Sequence, residues 1–332
     1  MNIHFPPFIY MFFLISGTLL TISSSSWFGM WLGLEINMMA FIPMIINLEE
    51  NKKSTEAAIK YFLIQAMASA IFIMSTLIDN LPPISYGFSA PNILITLALG
   101  TKLGFAPFHF WFPEVMEGLN WINNIILVTW QKISPLIVLS LFFNYNTLFF
   151  LASISALTGA ISGINQTSMR KILAYSSISH LGWIASMMFT NNNLWTDYFI
   201  IYCMTSFIVC LSFWMFNLNY IVQLLTIENL KKKIIIFMNL LSLGGLPPLL
   251  GFFPKWIAMY LLKDNIPILS ILIFSSLITL FFYTRLCFST FTLSLQDKLW
   301  MVKLIDKKVP ITLSLLTIFS FIGIVPLALF SF

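Results

Sequence analysis

From Phe5 to Ile22 the chain carries no charged residue, and stretches of similar length and character recur along most of its 332 residues. Such stretches restrict the fold severely, because lipid offers no partner to an open backbone N–H or C=O, and only helices and closed barrels satisfy their own. A spanning helix needs about 20 apolar residues, whereas a spanning strand needs about 10 of alternating polarity. The runs here are long and apolar on every side, so the expected class is an all-α, polytopic membrane protein. Composition agrees: 59% of residues are hydrophobic and 9% charged, with a mean hydropathy of +0.91, against roughly 25% charged in soluble domains.

Eleven spans are expected: Phe5 to Ile22, Trp27 to Ile46, Ala57 to Ile78, Pro91 to Phe112, Leu119 to Phe142, Leu148 to Asn165, Ile172 to Thr190, Thr196 to Phe216, Ile234 to Leu262, Ile266 to Phe288 and Val309 to Phe330. Lysine and arginine orient them. Lys52, Lys53, Lys60, Arg170, Lys171, Lys231, Lys232, Lys233, Arg285, Lys298, Lys303, Lys307 and Lys308 fall in or beside the even loops, and only Lys263 lies on the opposite side. By the positive-inside bias, the even loops and the N-terminus face the cytoplasm-equivalent compartment and the C-terminus faces away. The net charge of +5 is scattered over these short loops, which argues against a nucleic-acid surface.

Cys203, Cys210 and Cys287 have neither C-x-x-C nor metal-ligand spacing. Neither a G-x-G-x-x-G nor a P-loop is present, and no Arg-rich amphipathic presequence precedes the first span. The chain is therefore expected to bind no metal and no other cofactor itself.

Two spans are interrupted by glycine and proline, GTKLGFAPFHFWFPE and SLGGLPPLLGFFPKW. Each has a glycine three residues before a proline, Gly104 and Pro107 in one and Gly244 and Pro247 in the other, with Pro248 following. Pro107 to Pro113 and Pro248 to Pro254 are both six residues apart. The broken spans stand five apart, which predicts spans one to five (residues 5–142, break within 91–118) repeated as six to ten (148–288, break within 234–262), plus a span at 309–330. An odd-numbered repeat is inserted upside down, the plan of many secondary transporters whose discontinuous helices mark an ion site.

Few charges lie inside spans. Glu35, Lys102, Lys132 and Lys255 do, together with His109 and His180. A charge at the bilayer centre costs about 2.5 to 3.5 kcal/mol on insertion scales. Lys102 and Lys132 lie roughly 16 to 20 Å from the start of their spans at about 1.5 Å per residue. A lysine stem of about 6 Å is too short to carry the ammonium to a surface. Burial disfavours the charged form of such a group and a nearby carboxylate favours it, so a lysine with a movable acidic partner can bind and release a proton. Glu35 is the candidate partner. Pro107 and Pro135 lack an N–H and are expected to open the helix next to Lys102 and Lys132. A static ion pair is the alternative role for each lysine, and satisfied packing the alternative for His109 and His180, the candidate relay residues.

GTKLGFAPFHFWFPEVMEGL, LVTWQKISPL, GINQTSMRKILAYSSISHLGW and SLGGLPPLLGFFPKW resemble the subunit 2 family of mitochondrial NADH:ubiquinone oxidoreductase, respiratory complex I, in its animal form. The resemblance runs from about Glu35 to Leu262. It implies an antiporter-like, proton-translocating subunit of the membrane arm, with Glu35, Lys102, Lys132 and Lys255 in the family's proton-transfer positions. It also implies an organelle-encoded protein of the inner mitochondrial membrane with its basic loops in the matrix and its C-terminus on the intermembrane-space side. NADH, FMN, iron–sulfur clusters and ubiquinone belong to other subunits on this reading. Partners would be membrane-arm subunits on both flanks, accessory subunits, and phospholipids such as cardiolipin at the basic loops. A free-standing cation/proton antiporter and a purely structural subunit are the rival readings.

Overall fold

Span-length apolar runs become helices for the reason given above: the helix satisfies its own backbone. In the computed structural model, residues 7–46, 52–79, 90–190, 193–225, 227, 229–293, 314 and 317 are described. The described chain is helical, with no named strand among those residues. Its helices are α1 (Pro7–Ser23), α2 (Trp27–Ile46), α3 (Lys52–Asp79), α4 (Ala90–Leu103), α5 (Trp111–Gly118), α6 (Trp121–Val128), α7 (Trp130–Leu141), α8 (Tyr145–Gly163), α9 (Met169–Met187), α10 (Leu194–Phe216), α11 (Ile221–Leu225), α12 (Leu230–Gly244), α13 (Phe252–Leu261) and α14 (Ile266–Leu293).

Seven helices among the described residues are long and apolar enough to cross a bilayer, fewer than the eleven expected. They are α2, α3, the α6–α7 run, α8, α9, α10 and α14. Length explains the difference. α1 has 17 residues, the fourth expected span is divided into α4 and α5, and the ninth into α12 and α13. The span expected at 309–330 lies outside the described residues, apart from Ser314 and Thr317. α3 starts earlier than its apolar run, because Lys52 and Lys53 join the helix. At about 1.5 Å per residue it is about 42 Å long, so its polar first turns extend past a hydrocarbon core of about 30 Å.

The chain divides into two units, Met1–Ala152 and Ser153–Phe332. In the first, α1 packs closely along α2 because Gly17 and Gly33 face one another. A Cβ on Gly33 would lie 2.7 Å from the Gly17 carbonyl oxygen, and one on Gly17 would lie 2.9 Å from the Asn37 nitrogen. Small residues allow such backbone contact between membrane helices. In the second unit α9 is enclosed: its span is 89% buried, against 33% for α14. The polar run Ser176, Ser177, Ser179 and His180 is therefore an interior feature of that unit rather than a lipid-facing one.

Both broken spans end their first half in the same way. Gly104 after α4 has φ +82° and Gly245 after α12 has φ +77°. Phe105 N donates to Gly100 O at 2.9 Å and Gly104 N to Thr101 O at 3.2 Å. In the second break Leu246 N donates to Leu241 O at 3.3 Å and Gly245 N to Ser242 O at 3.1 Å. This pair of bonds around a left-handed glycine is the Schellman motif, which glycine favours because it has no Cβ to clash. The Ala106–Pro107 and Pro247–Pro248 peptide bonds are cis.

The equivalent of Gly104 is thus Gly245, not Gly244, which is the last residue of α12. The reason is backbone handedness: the motif needs its positive φ one residue past the helix, and Gly244 is still helical. The correction also aligns Pro107 with Pro248, so that the six-residue spacing to Pro113 and Pro254 follows from one register. Pro135 likewise does not break its span, since it lies inside α7. The interruption falls at Thr129, φ −106° and ψ −70°, whose hydroxyl donates to Ile125 O at 2.7 Å. The backbone distortion that a proline causes lies N-terminal to it, where its ring meets the preceding turn.

Candidate functional site

The end of a half-helix leaves carbonyls without intrahelical donors. At α4 these are answered one by one. Gly100 O takes the Gly104 and Phe105 amides, Thr101 O takes Trp111 Nε1 at 3.1 Å, and Lys102 O takes Gln65 Nε2 of α3 at 3.2 Å. The side chain of Lys102, in the last turn of α4, is buried at 7% exposure. A cation there is favoured by the negative end of the helix dipole.

Lys132, 2% exposed, occupies the first turn of α7 just after the Thr129 interruption. Its Nζ lies 5.0 Å from the centroid of the Phe112 ring, a cation–π contact across to α5. Lys102 and Lys132 line one cavity of about 20 Å³. Asn37, Tyr61, Gln65, Gln131 and Ser134 complete its polar lining. Space for about one water molecule is about 10–15 Å³ on this measure, provided polar partners are present. The cavity meets both conditions.

Glu35 of α2 does not line the cavity, and no ion pair joins it to Lys102 among the described residues, where Lys60–Glu114 is the pair observed. The Glu35 Oε1 atom is buried and accepts no hydrogen bond from the described residues. The carboxylate therefore makes no ion pair with its expected partner among the described residues.

In the second unit Lys255 of α13 is 5% exposed, and its Nζ donates to Gly244 O at 2.9 Å. That carbonyl belongs to the last residue of α12, so the ammonium caps the C-terminal end of the half-helix. Lys255 lies after the second proline of its break and Lys102 before the first of its own, yet each is placed at the C-terminal end of a half-helix. His180 of α9 shares a hydrogen bond with Tyr198 of α10, Nδ1 to hydroxyl, at 3.0 Å, and its ring lies 5.0 Å from that of Tyr202. His109 lies in the first break, stacked on Phe110 at 4.5 Å, with its backbone carbonyl accepting the Phe112 amide.

Charge-counting missed the amides. Asn37, Gln65 and Gln131 carry no charge, but an amide inside an apolar span needs partners almost as much as an ion does. The adjacency of Gln131 to Lys132, and of Asn37 to the turn holding Glu35, was the signal available. Cys203, Cys210 and Cys287 are free thiols, and among the described residues no three His, Cys, Asp or Glu side chains gather.

Residues 24–280 match the family model described as NADH:quinone oxidoreductase/Mrp antiporter, transmembrane. The chain belongs to this family. It is 47% identical over 334 residues to NADH-ubiquinone oxidoreductase chain 2 of Anopheles gambiae, covering 97% of this chain and 96% of that one. Against the chain 2 protein of Oryctolagus cuniculus the identity is 42% over 294 residues, with 85% and 84% covered. This chain is thus a homologue of chain 2. The fold also matches a chain in respiratory complex I from Thermus thermophilus with bound aureothin. That match has a TM-score of 0.83 at 21% identity, over 98% of this chain and 79% of that one. A chain of the Mrp complex from Dietzia sp. is similar at a TM-score of 0.74 and 15% identity, over 83% and 59%. These matches identify the antiporter-like fold, an all-α, polytopic membrane architecture.

Proposed function

We propose that this chain translocates protons as a membrane-arm subunit of an NADH:ubiquinone oxidoreductase in the inner mitochondrial membrane, using buried lysines as the sites that load and release them. One observation carries the reading: Lys102 at the end of the half-helix α4 and Lys132 in the α6–α7 run, both buried, line a single cavity of about 20 Å³. Transfer between two amines through one water needs no chemistry beyond protonation and deprotonation. Glu35 biases the first lysine through its charge, so that a change in its distance or protonation alters how firmly Lys102 holds its proton. Lys255, docked on the end of α12, is the corresponding group of the second unit. His180, bonded to Tyr198, and His109 are relay candidates.

The finer topology belongs to the same proposal. Seven long apolar helices, α1 and two spans broken at matching Schellman motifs support ten crossings, and the apolar run of sequence at 309–330 is read as the eleventh. The matching breaks support a repeat of five spans, inverted by its odd number. The basic even loops support a matrix-facing N-terminus and an intermembrane-space C-terminus, with anionic phospholipid such as cardiolipin at the matrix side. Membrane-arm subunits on both flanks and accessory subunits would surround the chain. NADH, FMN, iron–sulfur clusters and ubiquinone are handled by other subunits. Driving one charge against 100 mV requires about 2.3 kcal/mol, which must reach this chain from those subunits.

Lys102→Ala tests the proposal in the assembled complex. Loss of proton pumping with assembly intact is the expected result, and full pumping by an assembled complex refutes it. The relatives at 41–47% identity are oxidoreductase chains, which favours this reading over a free-standing antiporter.

A further inference from the structure

Four polar side chains beside the two lysines form an unbroken hydrogen-bonded sequence. The Tyr61 hydroxyl of α3 donates to Gln131 Oε1 of α7 at 3.1 Å. Gln131 Nε2 donates to Asn37 Oδ1 of α2 at 3.1 Å, and Asn37 Nδ2 donates to Ser134 Oγ of α7 at 3.2 Å. Each amide is thus used once as donor and once as acceptor, and a hydroxyl stands at each end. Three helices are tied together by these bonds, and all four residues line the cavity that holds Lys102 and Lys132.

Such a chain is a poor proton wire. A hydroxyl receives and gives a proton at the same oxygen, but an amide accepts at oxygen and donates at nitrogen. Passing a proton through it would require an imidic acid and a change of tautomer. Gln131 and Asn37 therefore interrupt any route along the wall, and the remaining route between the lysines is the cavity itself. Each amide has two N–H groups and uses one in the chain, so each keeps a second donor, and both residues line the cavity. A water accepting that N–H has one lone pair pinned. Its other lone pair is left to take a proton from one lysine, and its own hydrogens are left to donate to the other.

We propose that Asn37 and Gln131 are positioning residues: their amide pair, ended by Tyr61 and Ser134, holds α2, α3 and α7 around the cavity and orients the water that exchanges protons between Lys102 and Lys132, without carrying the proton. This rests on the reading that these two lysines exchange protons. It goes further in naming the uncharged residues that make the exchange possible and in excluding them from the path.

The test uses the whole complex reconstituted in sealed vesicles. NADH:ubiquinone turnover, proton uptake and the solvent isotope effect on turnover are measured for the parent, Gln131→Leu, Gln131→Glu and Tyr61→Phe. In Gln131→Leu, turnover and pumping fall by about fivefold, the kinetic equivalent of one hydrogen bond of about 1 kcal/mol. The isotope effect rises, because proton exchange becomes limiting, a change that mere loosening of the helices does not produce. Gln131→Glu keeps the shape and, when protonated, the donor to Asn37, so its turnover relative to the parent declines as pH is raised, whereas that of Gln131→Leu is flat. Parent-like turnover, pumping and isotope effect in an assembled Gln131→Leu complex overturn the proposal. If that variant does not assemble, Tyr61→Phe, which deletes one hydroxyl from the end of the chain, decides on the same readouts. Lys102→Ala separates the levels: if it pumps fully, the lysine reading fails, and if it does not pump while both wall variants behave as the parent, only the positioning role fails.

Discussion

Gly104 and Gly245 occupy the same position in two matching breaks, and replacing each with alanine is predicted to have different consequences. Both have positive φ, +82° and +77°, so an alanine at either costs about 1–2 kcal/mol of backbone strain. At Gly104 the added Cβ meets Phe112 Cβ at 3.4 Å, an ordinary contact, and strain is the whole effect. At Gly245 it meets Lys255 Cδ at 3.0 Å, with Lys255 Nζ and the Gly251 carbonyl oxygen both at 3.2 Å. The Gly251 carbonyl is backbone and the lysine end is flexible, so the lysine gives way and Nζ leaves Gly244 O. A hydrogen bond to a charged group contributes about 1.5–3 kcal/mol. The excess cost of Gly245→Ala over Gly104→Ala is therefore of that size, about 10- to 150-fold in the population of docked Lys255. Complex carrying either variant is reconstituted in vesicles and scored for thermal inactivation and for acidification of the lumen on NADH oxidation. Both variants should inactivate at lower temperature, but only Gly245→Ala should slow pumping by about tenfold or more. Equal pumping in the two, with both assembled, would refute the assignment of Lys255 to the α12 terminus.

The other predictions address packing and surface charge. The Lys60–Glu114 pair is short at 2.7 Å, but its side chains are 49% and 53% exposed. Lys60→Ala is expected to change stability by less than about 1 kcal/mol and to leave pumping at the parent level, measured by thermal inactivation at low and high salt. Gly33→Ala places a Cβ 2.7 Å from Gly17 O and 2.8 Å from Thr21 N, backbone atoms that move only with α1. Overpacking of this kind costs about 1–3 kcal/mol, and a lowered inactivation temperature with α1 displaced from α2 is the expected result.

How much was legible in the chain varied with the kind of physics involved. Apolar run length read correctly as helix, because a backbone in lipid has few alternatives. Its boundaries were less legible: α3 extends back to Lys52 since helix formation tolerates charge where the segment leaves the hydrocarbon. The two breaks were visible as glycine and proline. Their register was not, because GG in SLGGLPP offers two candidates and only the backbone assigns the positive φ to Gly245. Pro135 was expected to open the helix beside Lys132, and the structure does interrupt the helix there, at Thr129, but with Pro135 itself inside α7.

The buried ions show the same division. A lysine amid twenty apolar residues is conspicuous in the sequence, since its insertion cost makes it rare. Sequence by itself placed Glu35, Lys102, Lys132 and Lys255 within long apolar runs, and showed that the chain is helical and that two spans are broken. Tertiary structure alone decided that Lys102 and Lys132 share a cavity, that Glu35 makes no ion pair with Lys102 among the described residues, and that Asn37, Tyr61, Gln131 and Ser134 join across three helices. Burial cost is a property of one residue in its own segment and can be read along the chain. A hydrogen bond or a shared cavity depends on which faces of separate helices meet, and that is settled only when the helices pack.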